Sequence, residues 1–108
     1  MRVSRAWPAA LALAAGMAAL PAWADDNGQV LAGKAVAQTW CANCHVVAPE
    51  QARGSDQAPS FASVAAGPDG TEARLRAFLA HPHGNMPDFK LAPAQIDDLA
   101  AYIRSLKH

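Results

Sequence analysis

Apolar and polar positions divide the chain into an opening apolar run and three helical stretches separated by polar loops. Ala9 to Leu20 contains only Ala, Leu, Gly and Met, and Arg2 and Arg5 precede it. From Gln29 to Trp40 the residues are Ala-rich helix formers without proline. Leu31 with Ala35, and Val36 with Trp40, are spaced i, i+4 and predict one apolar face. Asp25 to Gly28 supplies polar residues suited to an N-cap before that helix. Gly33 sits inside it, where glycine costs about 1 kcal/mol relative to alanine. With Ala37 one turn later it forms a shallow face suited to the close approach of a second helix.

Beyond this helix the pattern loosens. Glu50 to Ala58 reads as a polar loop, with Gly54, Ser55 and Asp56 marking turns. Phe61 and Val64 are apolar, and Gly67-Pro68-Asp69-Gly70 is a firm break. Thr71 can cap a second helix with Leu75, Phe78 and Leu79 on one face, ending near Ala80 because Pro82 and Gly84 follow. His81 to Lys90 forms another loop, centred on Asn85-Met86-Pro87. The clearest helical signal comes last. Pro93 suits a first helical position, and Ile96, Leu99, Ile103 and Leu106 recur at helical spacing. Asp97 and Asp98 lie early and Arg104 and Lys107 late, as the helix dipole favours. No strand-like run exceeds Val46-Val47. The expected fold class is all-α, with three main helices and long loops.

The opening run changes the reading of length and charge. A positive start, a short apolar stretch and the small-x-small pattern of Ala22-Trp23-Ala24 match a secretory signal cleaved after Ala24. The run is too short for a comfortable membrane span, which needs about 20 residues. The expected division is therefore 1–24 as signal peptide and 25–108 as one domain, placed in the periplasm. Without the first 24 residues the chain keeps 84 residues, with seven Lys/Arg and nine Asp/Glu, a formal charge of −2. That balance has no cationic footprint for nucleic acid. So small a domain has a marginal core and gains from a staple or a bound group to fold around.

Cys41-Ala42-Asn43-Cys44-His45 reads C-x-x-C-H, the attachment signature of a c-type haem. Cys41 and Cys44 can each form a thioether to a haem vinyl group, and His45 can bind the iron as one axial ligand. Two rival readings are weaker. A thioredoxin-like disulfide would need strands alternating with helices around the motif. A zinc site would need further Cys or His at finger-like spacing, and no second C-x-x-C occurs.

A sixth iron ligand must come from elsewhere. Met86 is the sole methionine beyond the signal, and it lies in a proline-flanked loop. Pro87 restricts it to extended backbone and keeps it out of a helix. His81 and His83 are the alternatives, and bis-histidine ligation would lower the potential where His/Met ligation raises it. His108 is terminal and a weaker candidate.

From Gly33, through the C-x-x-C-H motif, Pro59 and Asn85-Met86-Pro87-Asp88-Phe89, to Leu99-Ala100-Ala101-Tyr102-Ile103, the chain resembles the class I monohaem cytochromes c of small bacterial type. The resemblance implies one covalent haem c, held by Cys41 and Cys44. It assigns His45 and Met86 as axial ligands and the Pro59 carbonyl as acceptor from the axial histidine. It pairs Gly33 with the terminal helix at Tyr102. Two departures stand out: Ala37 where an aromatic is usual, and no tryptophan after Trp40 to serve a haem propionate. Arg53, Arg74 and Arg76 could compensate, although each reads first as an ordinary solvated charge. Phe61, Phe78, Leu91, Ile96, Leu99 and Tyr102 are expected to wall the haem. The function implied is non-enzymatic: a monomeric electron carrier exchanging with redox partner proteins, a dehydrogenase as donor and an oxidase or reductase as acceptor. The alternatives are a haem subunit of a periplasmic dehydrogenase or oxidase complex, and a haem enzyme or gas sensor with an open sixth site.

Overall fold

A computed structural model describes residues 3, 4, 6, 9, 15–18, 23–55, 57–82 and 84–108. Fourteen of the 24 residues of the expected export segment fall outside these residues, as do Asp56 and His83. The described residues form four α-helices and no strand: α1 (Trp23–Trp40), α2 (Phe61–Ala66), α3 (Glu72–Ala80) and α4 (Pro93–Ser105).

The helix bounds follow from local chemistry. Thr71 caps α3, its Oγ1 accepting from the Arg74 N–H, and the helix ends at Ala80 before Pro82. Pro93 opens α4, and the Gln95 side chain reaches back to accept from the Ala92 N–H (2.9 Å). The short α2 was not expected. Ser60 caps it, with Oγ accepting from the Ser63 N–H (3.1 Å). α1 starts earlier than the polar residues suggested. Asp25 to Gly28 continue the helix rather than cap it.

α1 and α4 cross closely, and the crossing sets the frame. A Cβ at Gly33 would overlap the Asp98 backbone carbonyl and lie 2.7 Å from the Tyr102 Cβ. Only glycine fits there. Ala37, one turn on, is fully buried. The buried face of α1 therefore runs through Gly33, Ala37 and on to Cys41. The expected Leu31/Ala35 face is not the one that packs: Leu31 is 68% exposed. Small residues won the contact because they let two backbones approach.

Leu99, Ala100, Tyr102 and Ile103 of α4 join Leu75 and Leu79 of α3, Phe61 and Ala65 of α2, and Val47 and Ala48 in one core. Tyr102 also donates from its hydroxyl to the Val47 carbonyl (2.5 Å), tying the terminal helix to the loop after the cysteine motif. On the outer side Glu72 pairs with Arg76 (2.7 Å) and Arg104 (3.0 Å), and Arg76 pairs with Asp97 (2.8 Å), linking α3 to α4. No helix among the described residues is long and apolar enough to cross a membrane.

Candidate functional site: a cleft between the cysteine motif and the methionine loop

The motif begins where α1 ends. The Ala37 carbonyl accepts from the Cys41 N–H (2.9 Å) and the Ala42 N–H (3.1 Å). The Cys41 carbonyl then accepts from Cys44 (3.1 Å) and His45 (2.9 Å). One helical turn thus carries Cys41, Cys44 and His45 at i, i+3 and i+4, the spacing that brings side chains to neighbouring positions. The two cysteines are not joined in a disulfide, and no strand flanks them among the described residues. The thioredoxin-like reading loses its scaffold. Burial, with a smaller contribution from Cys44, pushes the Cys41 thiol up to about 11.

Residues 51–55 brace this turn from behind. The Gln51 side chain donates to the carbonyls of Ala42 (3.0 Å), His45 (2.8 Å) and Arg53 (2.7 Å), and accepts from the Val47 N–H (2.9 Å). Gly54 lies against the same backbone, where a Cβ would come within 2.9 Å of the Cys44 carbonyl. Ser55 N–H donates to that carbonyl (2.6 Å). Gln51 gave no signal in the sequence, because a lone glutamine in a polar loop has no period or spacing to reveal it.

His45 is held on two sides. Its Nδ1 donates to the Pro59 carbonyl (2.6 Å), and its ring tilts against Phe61 with centroids 5.2 Å apart. A carbonyl only accepts, so the proton sits on Nδ1 and the Nε2 lone pair is free for a metal. Phe61 is fixed in turn by its own N–H on the Val46 carbonyl (2.9 Å).

A cleft of about 700 Å³ opens beside this ring. Its walls include Cys41, Cys44, His45 and Pro59 on one side and Met86, Pro87 and Phe89 on the other, with Trp40 at the same cleft. The volume lies within the range of roughly 300–1,000 Å³ usual for ligand sites. Among the described residues its lining includes no Asp, Glu, Lys or Arg, and Trp40, Ala58, Pro59, Met86, Pro87 and Phe89 give it an apolar character that suits a large apolar group. Two cysteine sulfurs and a metal-competent imidazole nitrogen on one cavity are the donor set that attaches a covalent haem, and the Met86 thioether lines the same cavity. The residues present fit that group.

Comparison with known proteins agrees. From residue 28 to residue 103 the chain matches the family described as cytochrome c oxidase, cbb3-type, subunit III. A curated relative, cytochrome c-552 of Bradyrhizobium diazoefficiens, is 46% identical over 97 residues, covering 90% of this chain and 90% of its own. The chain belongs to the c-type cytochromes. No solved structure matches it. As a c-type cytochrome it carries covalent haem c with its iron, and it falls with electron-transfer proteins.

The walls of the cytochrome cleft differ from the expected ones. Leu99 and Tyr102 are buried in the helix core, Leu91 and Ile96 pack against it, Phe61 backs His45, and Phe78 is 39% exposed. None of the six lines the cleft; Trp40, Ala58, Pro59, Pro87 and Phe89 do. Helical spacing marks residues that are buried, but does not say against what. His81 is exposed and does not line the cleft. Arg74 pairs with Asp69 (3.0 Å) and Arg76 with Glu72 and Asp97, and neither lines the cavity.

Proposed function

We propose that this chain is a periplasmic one-electron carrier with His/Met-ligated haem c, anchored by thioethers at Cys41 and Cys44. His45 would supply the proximal nitrogen and Met86 the distal sulfur. The observation that carries the reading is the cleft itself, which gathers Cys41, Cys44, His45 and Met86 although Met86 comes from a distant loop. When bound, the haem iron supplies a one-electron couple. The chain's residues do the rest. Pro59 orients the imidazole and, by accepting from Nδ1–H, makes Nε2 a better donor. Apolar walls such as Trp40, Pro59, Pro87 and Phe89 disfavour the extra positive charge of the oxidised state, and a thioether ligand acts in the same direction, so a positive potential is expected. With both axial positions filled, no substrate reaches the metal. Contacts with donor and acceptor proteins would be small and short-lived, as redox encounters are.

The spectrum of the mature protein beside Met86→Ala tests the ligation. The oxidised wild type should show the long-wavelength sulfur–iron absorption band and the variant should lose it. A wild type without the band would refute His/Met ligation, and a variant that keeps it would release Met86 from the role. N-terminal sequencing of the secreted protein should begin at Asp25 if the signal is cleaved after Ala24.

A second reading has its own support. The matched family is described as an oxidase subunit, so the chain could serve as the haem c subunit of a larger periplasmic complex. Stable co-purification with a larger chain would favour that reading, and elution as a monomer the carrier.

A further inference from the structure

We propose that Trp40 and Phe89, set by a turn at Asp88–Lys90, form an aromatic clasp that keeps Met86 at the cleft, with Phe89 as its positioning residue. Trp40 is the last residue of α1, immediately before Cys41, while Phe89 lies three residues beyond Met86. Their ring centroids are 5.6 Å apart at an interplanar angle of 41°. Both line the cleft together with Met86 and Pro87, so the contact joins the cysteine side of the mouth to the methionine side. Trp40 is 47% exposed and Phe89 36% exposed, so burial in the helix core does not force the pair together.

The loop is shaped to make this contact. Lys90 has φ +54°, a left-handed conformation that side chains disfavour. Asp88 stabilises it: its carboxylate accepts from the Lys90 backbone N–H (2.9 Å) and pairs with the Lys90 ammonium (2.8 Å). Among the described residues from Pro82 to Leu91 no backbone–backbone hydrogen bond forms. Among the contacts of the described residues, the Trp40–Phe89 pair bridges the mouth.

The inference rests on Met86 being the distal ligand. An exposed aromatic pair shifts an equilibrium by roughly two- to tenfold. Imidazole, which competes with the methionine sulfur for ferric iron, reports that equilibrium directly. In the mature ferric holoprotein, Phe89→Leu should raise imidazole affinity by roughly two- to tenfold. Trp40→Leu should do the same, the double variant should add little more, and Phe89→Tyr should return to wild type. Leucine retains apolar bulk, so the variants remain foldable. If Phe89→Leu keeps the sulfur–iron band and binds imidazole as the wild type does, the clasp is wrong. Full additivity of the two single changes overturns it as well, because independent residues are not a pair. Failure of the ligation reading looks different: the wild type itself would lack the band before any imidazole is added.

Discussion

On the His45 side of the cleft, side chains from several parts of the chain hold the backbone, while the Met86 side depends on local contacts. Gln51, Tyr102 and Pro59 between them bond the carbonyls of Ala42, His45 and Val47, the Val47 N–H and the His45 ring. Opposite, Asp88 bonds to Lys90 two residues away, and one exposed ring contact reaches across to Trp40. Local stability follows such differences in bonding and burial. The histidine side is a fixed wall and the methionine side a door.

The largest expected effect is on the frame that supports both sides. Gly33→Val would drive a branched side chain into the Asp98 backbone and should destabilise the protein by about 3 kcal/mol. Thermal unfolding of the holoprotein measures it, and a melting temperature near wild type would mean that the helices do not cross so closely. Next comes the wall. Gln51→Leu leaves three carbonyls and the Val47 N–H without their partner and should cost about 2 kcal/mol in urea unfolding. Asp88→Ala, its counterpart on the door, should shift the same curve distinctly less. Equal shifts would erase the asymmetry. The smallest effect is Tyr102→Phe, about 1 kcal/mol at neutral pH for one hydrogen bond.

The tyrosine also sharpens the comparison through pH. Burial raises the Tyr102 pKa above its ordinary 10.0. The folded protein then holds that proton where the unfolded chain has lost it. The contribution to stability is complete below pH 10 and falls away as pH rises through the folded value. Wild type should lose stability above pH 10 more steeply than Tyr102→Phe, read as unfolding midpoints across that range.

Much of the frame was legible because it rests on local rules. Thr71 and Pro93 marked two helix starts, and the recurrence of Ile96, Leu99, Ile103 and Leu106 marked the packed face of α4, where Leu99 and Ile103 are buried. The Gly33–Tyr102 approach was legible through the family resemblance. The Gly33–Ala37 face of α1 could be read as a close-approach surface, whereas the apolar Leu31/Ala35 spacing pointed to a face that stays exposed, because spacing alone does not say which face is covered. The C-x-x-C-H turn, Pro59 and Met86 could be singled out, but the cleft walls could not. Trp40 and Phe89 meet through tertiary geometry that no spacing encodes, and the Gln51 brace depends on a loop path set by the core.

The crossing of α1 with α4 has a consequence for the order of events in synthesis. Its two halves lie on either side of the cysteine motif in the chain, and Asp98 and Tyr102 are made long after Gly33. A ribosome must therefore deliver nearly the whole domain before the frame can shut. Until Asp98 and Tyr102 are in place, Gly33 has no partner surface and Cys41, buried in the finished fold, is not yet enclosed by the complete core.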